Sequence, residues 1–361
     1  MVTKQRQTLF WLAGFIIFVG FLHVFSQILL PFVVGMAIAY FLDPVADWLE
    51  RRTFSRAVAT TFILLGFFIT AAALITMLFP LLQRQVAELF RMLPRILENF
   101  WFEVLPWLER VVAELPPGTM EDIHNTATDF AGNVMKWMTK MVANLWSGGV
   151  AFFNLLSLLL ITPVVSFYLL RDWDLIITKI DSWLPRQNAP TIREQALAID
   201  QTLAAFVRGQ SYVCLILALF YGLGLTVVGL KSGLLVGFGA GLISFIPYLG
   251  AAFGLVVGFG IALFQFSEWL PIAIVVTIFL SGQTIESYIL TPRLVGSGVG
   301  LHPVWIIFAL LAGGVLFGFT GVLIAVPVAA IIGVLARFSI VRYLNSSLYD
   351  PTRQTKDELD A

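Results

Sequence analysis

Apolar runs of about twenty residues recur along most of the chain, and a helix needs that length to cross the ~30 Å hydrocarbon core of a membrane. The alternating pattern of membrane-spanning strands does not occur. The pattern therefore predicts an all-α polytopic integral membrane protein with about eight transmembrane segments. The apolar runs cover residues 8–42, 57–79, 150–170, 211–230, 233–266, 269–290 and 304–337.

The first apolar run is too long for a single crossing, and Pro31 divides it into two predicted helices that meet near residues 27–31. The polar segment 43–56 contains Arg51, Arg52 and Arg56. We interpret it as a cytoplasmic loop, because cytoplasmic loops are rich in arginine and lysine. The third span follows, and Pro80 is expected to end it.

Residues 81–149 differ from the rest because apolar and polar residues are mixed there. Apolar residues recur at steps of three and four over 81–115, which predicts an amphipathic helix interrupted at Pro94 and Pro106. A second helical stretch is expected over 120–146. We interpret the region as an extracytoplasmic amphipathic helical segment that packs without taking part in chemistry. The alternatives are helices on the membrane surface or against a neighbouring subunit.

The last third of the chain repeats one order of segments, an unbroken span followed by a broken apolar pair. The breaks fall at residues 246–248 and 318–321, so the repeated units are 211–266 and 269–337. Broken helices at matching positions are typical of a transporter's binding region. Each half of a pair has about 14 to 17 residues, which is short for a full crossing. Two re-entrant helical hairpins are therefore favoured over pairs of full crossings.

Charge orients the chain with both termini in the cytoplasm. The basic residues of the short loops then fall almost entirely inside, and only Lys231 lies in a short outer loop. The predicted parts are N-terminal transmembrane helices (1–80), the extracytoplasmic segment (81–149), a transmembrane helix with a cytoplasmic connector (150–210), a transport core of two span-plus-hairpin units (211–337) and a cytoplasmic tail (338–361).

Composition excludes several classes of function. Apolar residues make up 59% of the chain and charged residues 12%, so much of the surface must face lipid. The net charge is zero, which argues against a nucleic-acid partner. No nucleophile–base pair, phosphate loop, cofactor motif or metal cluster occurs, and we expect neither an enzyme nor an ATP-driven pump. The single cysteine, Cys214, lies in an apolar run and is expected to be a small buried residue.

Glu286 is the main candidate for function. It is an acid within the predicted span 269–290, and Gln283 lies three residues earlier on the same helical face. A carboxylate at membrane depth costs roughly 2.5–3.5 kcal/mol on insertion scales, so it is a functional hypothesis by default. It could bind a cation, carry a proton or contact a polar substrate. A buried hydrogen bond or ion pair that orders the hairpins is the structural alternative.

The first break contains Pro247, Tyr248 and Gly250. Proline interrupts the backbone hydrogen bonds and leaves carbonyl groups that could coordinate a cation or a polar group. Tyr248 adds a hydroxyl at the same place. The alternative is a plain hairpin turn.

Further candidates for the pathway lie around the second repeat unit and before the fifth span. Arg293 and His302 flank a glycine-containing loop that could act as a hinge, although an interfacial arginine and a structural histidine are the simpler interpretations. The remaining candidates are Gln210, Pro292 and Pro303, with Gly296, Gly298 and Gly300 in the loop.

These motifs resemble those of the AI-2E family of autoinducer-2 exporters, also called PerM-like permeases. The motifs are FIPYLG at 245–250, Glu286 followed by LTPRLVG at 290–296, LHP at 301–303, FGFTGVLIAVP at 317–327 and YFLDP at 40–44. The resemblance covers most of the chain and is weakest over 81–149. It implies a bacterial inner-membrane protein with cytoplasmic termini that forms a homo-oligomer, with a pentamer as one candidate state.

Three hypotheses about function remain open. The first is a secondary transporter that exports a small polar organic solute resembling autoinducer-2. The second is a sodium or other cation/proton antiporter, in which Glu286 would be essential and transport would depend on pH. The third is a scaffold that does not transport and binds partners through residues 81–149. The expected partners are the lipid bilayer, a small solute and a coupling cation or proton.

Overall fold

The computed structural model describes residues 9, 13–14, 17–52, 54–112, 136, 149–296, 300–346 and 349. It describes their side chains except at 27, 82, 86–112 and 149–155. The helix predicted over 120–146 and the loop residue Gly298 lie outside this part of the chain, as does most of the cytoplasmic tail.

The described chain is built from long helices. Residues 17–24 are helical, and a 3₁₀ turn at Ser26–Ile28 leads into the first long helix, in agreement with the predicted meeting of two helices near Pro31. The helices are α1 (Leu29–Glu50), α2 (Arg56–Val112), α3 (Gly149–Ser182), α4 (Ala189–Val227), α5 (Gly233–Ile243), α6 (Leu249–Gln265), α7 (Trp269–Ile285) and α8 (Pro303–Leu344), and a π-helix, Glu286–Val295, continues α7.

Length and composition of these helices confirm the predicted all-α, polytopic membrane class. Over the described residues, six segments are long and apolar enough to cross a membrane. They are Leu29–Glu50, Arg56–Gln85, Leu156–Ser182, Ala189–Val227, Trp269–Val295 and Pro303–Leu344. The two apolar helices α5 and α6 are shorter, and the described part of the chain contains no strand.

The predicted end of the third span at Pro80 and the interruptions at Pro94 and Pro106 are wrong. Helix α2 runs without a break through all three prolines to Val112. Each proline removes one backbone hydrogen bond, which can bend a helix without ending it. The helical apolar pattern on both sides of each proline therefore decides the local structure.

Two predicted polar connectors are also largely helical. Helix α1 continues through Pro44 to Glu50, so the loop expected over 43–56 shrinks to residues 51–55. Likewise, only residues 183–188 separate α3 from α4 within the part predicted as a transmembrane helix with a cytoplasmic connector (150–210). The charged residues of both segments therefore lie on helix faces with fixed spacing.

The chain divides into two compact units, and the first contains residues 1–68, 161–213 and 286–361. Within it, α1 and α3 pack through small residues. Gly35 lies against the Val165 side chain, and the Ser166 hydroxyl donates to the Gly35 carbonyl oxygen at 3.0 Å. One turn earlier, the Thr162 hydroxyl donates to the Pro31 carbonyl oxygen at 3.4 Å. These contacts hold the two backbones close together and satisfy the buried hydroxyls.

Helix α8, also in the first unit, is a hairpin. Gly318 has φ 60° and ψ −142°, a conformation that favours glycine, and it turns the chain back on itself. Gly313 and Gly321 then lie backbone to backbone, while Leu301 reaches Gly333 farther along the two arms. The sequence break at residues 318–321 thus coincides with the turn of the hairpin.

The carbonyl group of Leu316 lies two residues before Gly318, at the turn of α8. The His23 Nδ1 lies 2.6 Å from this carbonyl oxygen, and the His23 ring also packs against Phe317. Because a carbonyl only accepts hydrogen bonds, the His23 N–H donates here. This histidine, which has no catalytic partner in the sequence, has a structural role at the hairpin tip.

The second unit contains residues 69–160 and 214–285, and its centre is the hairpin formed by α5 and α6. Helix α5 packs on the second half of α4, where Gly237 meets the backbone of Gly222 and Gly241 meets Ala218. Glycines on both helices therefore allow α4 and α5 to pack closely at Gly222 and Gly237. Contacts at this distance require the absence of a side chain on at least one of the two helices.

The other arm of this hairpin, α6, packs on α7. Gly254 and Gly258 form a groove for the Phe279 ring, which is only 1% exposed. The Tyr221 ring of α4 lies 4.9 Å from the Phe279 ring, and it also covers Gly282. Two aromatic rings among glycines therefore form the centre of the second unit.

Replacing Gly254 by alanine should destabilise the protein, and replacing Gly260 on the same helix should not. A Cβ at Gly254 would overlap the Phe279 ring and lie 2.7 Å from the Ala240 Cβ, whereas nothing lies within 4 Å of a Cβ at Gly260. We expect a loss of about 1–3 kcal/mol from overpacking at Gly254. At Gly260 we expect a gain of up to about 1 kcal/mol from helix propensity.

Thermal unfolding of the two purified variants in one detergent measures this difference. Equal unfolding midpoints for Gly254→Ala and Gly260→Ala would contradict the packing of α6 on Phe279.

Candidate functional site

Glu286 begins the π-helix that continues α7. Its side chain is 5% exposed, and it is the only buried charged side chain among those the structure describes. A π-helix widens the backbone by one residue per turn, and such segments are frequent at functional sites. Glu286, the main candidate predicted from the sequence, is therefore buried and lies in an unusual backbone conformation.

The π-helix contacts α4 within the first unit at very short range. Gly209 lies against the backbone of Leu294 and Val295, and a Cβ at position 209 would overlap the Leu294 carbonyl group. The next residue, Gln210, is 3% exposed. The close approach at Gly209 therefore fixes the π-helix to the part of α4 that carries the buried amide of Gln210.

Pro292 and Arg293 lie inside the π-helix and are both exposed. The helix ends at Val295, and Gly296 follows with φ 68°, the left-handed conformation common after a helix end. Gly298 lies outside the described residues, and Gly300 also has a positive φ of 51°. The glycines predicted as a hinge thus include two positions where the backbone conformation favours glycine.

His302 and Pro303 form the start of α8. The Val304 N–H donates to His302 Nδ1 at 3.3 Å, and Pro303 occupies the first helical position, where its missing N–H has no cost. This arrangement gives His302 the role of a helix cap. Its contribution to a transport pathway stays a prediction.

In the second unit, residues 244–248 connect α5 to α6 in a compact turn. The Leu249 N–H donates to the Ile246 carbonyl oxygen at 3.2 Å across Pro247. Tyr248 has φ 68° and is the only described residue other than glycine with a positive φ. Such a conformation costs of order 1–3 kcal/mol, and strained residues of this kind concentrate at functional sites.

Gly250 allows the two arms to meet directly after the turn. A Cβ there would overlap the Ser244 hydroxyl and the Ala240 carbonyl oxygen. Tyr248 is half exposed, so its side chain remains accessible to a binding partner. The turn thus combines an exposed phenol with a strained backbone, which suits a contact with a polar solute.

The predicted site residues fall into both compact units. Those in the first are Gln210, Glu286, Pro292, Arg293, Gly296, Gly300, His302 and Pro303, and those in the second are Pro247, Tyr248, Gly250 and Gln283. Within the first unit, the structure brings the π-helix together with α4 beside Gln210. A meeting of Glu286 with the turn at Pro247 stays a prediction.

A network of charged side chains in the first unit was not predicted. Arg56, at the start of α2, has Asp43, Asp47, Glu50 and Asp174 within 3.1–3.4 Å. Its Nε also donates to the Leu170 carbonyl oxygen at 3.0 Å. Arg56 is therefore the centre of the network, and it holds α1 and α3 to the beginning of α2.

Arg208 and Tyr40 extend this network to α4. Arg208 donates to Asp43 at 3.1 Å and to the Tyr40 carbonyl oxygen at 2.8 Å. The Tyr40 hydroxyl donates to Asp200 at 2.9 Å. Four helices thus meet in one set of charged and polar contacts.

The network borders an open cleft of about 480 Å³, large enough for a small solute. Its walls combine carboxylates with arginines and one aromatic ring, and are formed by Asp43, Asp47, Glu50, Arg51, Arg56, Trp173, Asp174 and Asp200. No group of acids, histidines or cysteines in the described residues is arranged to hold a metal ion.

The spacing of the acids was the signal that could have revealed this network. Asp43, Asp47 and Glu50 are four and three residues apart, which places them on one face of a helix. The interpretation of residues 43–56 as a loop hid this pattern.

Comparison with known proteins identifies transporters over nearly the whole chain. The model of the family described as "AI-2E family transporter" matches residues 11–339. The chain is 28% identical to "Putative transport protein YrrI" of Bacillus subtilis (strain 168), over 93% of this chain and 97% of that protein. It is 26% identical to "Putative permease PerM" of Escherichia coli (strain K12), over 89% of this chain and 88% of that protein.

Replacing Arg56 by glutamine should destabilise the protein more than the same change at Arg193. Arg56 is 17% exposed and faces four carboxylates, which would repel one another without it. Because several of these acids are solvent-exposed, we expect a loss of about 2 kcal/mol rather than the cost of a fully buried pair. Arg193 forms one exposed pair with Asp181, and its replacement should leave stability unchanged.

The thermal unfolding midpoints of Arg56→Gln and Arg193→Gln check this prediction at low and high salt. A larger destabilisation by Arg193→Gln would show that Arg56 is not the centre of the network.

Proposed function

Because the chain belongs to the AI-2E family of transporters, we propose that it is a secondary transporter that exports a small polar organic solute resembling autoinducer-2. The proposed activity moves the solute without changing it chemically, so the protein would not be an enzyme. Transport as the general function agrees with the names of its relatives.

The burial of Glu286 is the observation that carries this proposal. Placing a charged side chain in a membrane helix is costly, and such residues face a pathway or a protein interior. Glu286 is buried in a segment long and apolar enough to span the membrane, and it lies at a change of backbone geometry. A carboxylate in this setting can accept hydrogen bonds from hydroxyl groups of a polar solute.

The turn at Tyr248 supports the same proposal from the second unit. Helices α5 and α6 have 11 and 17 residues, which corresponds to about 17 and 26 Å at 1.5 Å per residue. Both lengths are below the ~30 Å of the hydrocarbon core. We therefore propose that this hairpin is re-entrant and that its turn lines the pathway near the middle of the membrane.

Cation/proton antiport is the second candidate function, and the same carboxylate favours it. Glu286 could alternate between a proton and a cation, with its charge neutralised in both states. A single buried acid offers few ligands for a cation, since no metal-binding group occurs among the described residues. Solute export therefore remains our first proposal, with a proton or cation as the coupling ion.

The proposal places the protein in the bacterial inner membrane with both termini in the cytoplasm. This orientation follows from the arginines of the loop at 51–55 and from the basic residues that flank the other cytoplasmic ends. A homo-oligomer, with a pentamer as one candidate state, is part of the same proposal.

The change Glu286→Gln should lower solute export at least tenfold, because glutamine keeps the size of the side chain but cannot carry charge or exchange a proton. Glu268→Gln is the matched control, since Glu268 is an exposed acid in the loop between α6 and α7. The measurement is flux of autoinducer-2, sodium and protons into proteoliposomes that contain each variant at equal amounts.

Each outcome separates the candidates. Loss of autoinducer-2 flux alone supports export, and loss of coupled sodium and proton flux supports antiport. Unchanged flux of every substrate in Glu286→Gln would refute the role of Glu286.

The turn at residues 246–250 should become accessible from the extracytoplasmic side if the hairpin is re-entrant. Single cysteines placed there in a Cys214→Ser background should react with a membrane-impermeant thiol reagent from that side, and added solute should slow the reaction. Labelling only from the cytoplasmic side under every condition would exclude a hairpin that opens outward.

A further inference from the structure

The start of helix α5 is capped by a residue from another helix. Ser232 occupies the N-cap position of α5, but its side chain does not cap the helix. The Leu235 N–H donates instead to Gln85 Oε1 at 2.8 Å. The Ser232 hydroxyl donates to the backbone carbonyl oxygen of the same residue, Gln85, at 3.5 Å.

The cap of α5 therefore differs from the usual arrangement at a helix start. A serine at the N-cap normally accepts a hydrogen bond from the N–H two or three residues later. Leu235 is the third residue of α5, so its N–H is one of the donors without a partner inside the helix. Gln85 supplies this missing acceptor, and the first turn of the hairpin therefore depends on α2.

The position of Gln85 on α2 adds a second reason to consider it. The apolar run 57–79 of α2 ends six residues before Gln85, although the helix itself continues to Val112. The contact thus lies where α2 changes from apolar to mixed composition. A polar side chain at this point can remain at the edge of the membrane while it reaches the hairpin.

A second glutamine forms hydrogen bonds next to the hairpin. Gln265, at the end of α6, accepts from the Lys231 N–H at 2.9 Å and donates to the Gly229 carbonyl oxygen at 2.7 Å. Gln265 therefore joins the end of α6 to the connection that precedes α5. Gln85 differs because it attaches the hairpin to a separate helix.

We propose that Gln85 is a positioning residue for transport, which holds the first turn of α5 on α2 and thereby sets the position of the turn at Pro247 and Tyr248. The inference rests on the proposed function, since it assigns the hairpin a part in transport. Gln85 contacts the hairpin backbone and acts through it, and does not itself touch the solute.

Two substitutions at Gln85 distinguish the loss of the hydrogen-bond acceptor from a change in side-chain size. Gln85→Met removes the Oε1 acceptor at nearly equal length, and Gln85→Glu retains it. In the full-length protein in lipid nanodiscs, exchange of the Leu235 amide hydrogen should accelerate at least tenfold in Gln85→Met and stay near the wild-type rate in Gln85→Glu. Gln265→Met should leave the Leu235 amide protected.

Transport provides the functional readout. In proteoliposomes, Gln85→Met should lower the maximal rate of autoinducer-2 flux at least fivefold with an unchanged KM, and Gln85→Glu should restore the rate. Unchanged exchange at Leu235 in Gln85→Met would overturn the contact. Faster exchange with wild-type flux would overturn the positioning role, because the cap would then be only structural.

A third readout distinguishes this inference from the proposed function. If the wild-type protein moves none of the tested substrates, the proposed function fails. Labelling of a cysteine at Ile246, in a Cys214→Ser background, then takes the place of flux. A labelling rate that changes in Gln85→Met and returns in Gln85→Glu supports the positioning of the turn, and equal rates in all three proteins overturn it.

Discussion

Close contact between glycine-containing helices is the interaction on which the rest of this structure depends. A membrane requires each backbone polar group to find a partner within the protein, so a broken helix is tolerated only where protein or water covers the break. Glycines on α5 and α6 allow the first hairpin to lie directly on α4 and α7, around the rings of Tyr221 and Phe279. In the first unit, Gly313 and Gly321 close the second hairpin in the same manner.

The charged side chains fall into two groups with different surroundings. Most charged groups with described contacts lie in the network around Arg56, where each acid shares an arginine or remains partly in solvent. Glu286 lies outside this network, and its side chain is buried at the start of the π-helix. One set of charges therefore joins the ends of the helices, and the other marks the proposed pathway. A change at Arg56 should act on stability, whereas a change at Glu286 should act on transport.

Sequence reasoning found the breaks and missed the features created by tertiary contacts. The breaks at Pro247 and Gly318 were predictable because proline and glycine alter the backbone locally. The π-helix was not predicted, and its close approach to α4 at Gly209 joins residues that are distant along the chain. The network around Arg56 was missed because it requires α1 to remain helical beyond Pro44. Local residue types thus indicate where helices are interrupted, but partners from distant helices decide which polar groups are satisfied.

Solvent access to position 286 distinguishes a transport pathway from a closed protein core. A Glu286→Cys variant in a Cys214→Ser background can be treated with membrane-impermeant thiol reagents from each side of a sealed vesicle. We expect labelling from both sides, with protection by a transported solute, because an alternating pathway exposes this position to each side in turn. If a cysteine at position 286 stays unreactive from both sides under all conditions, Glu286 lies in a closed protein core and is not part of a transport pathway.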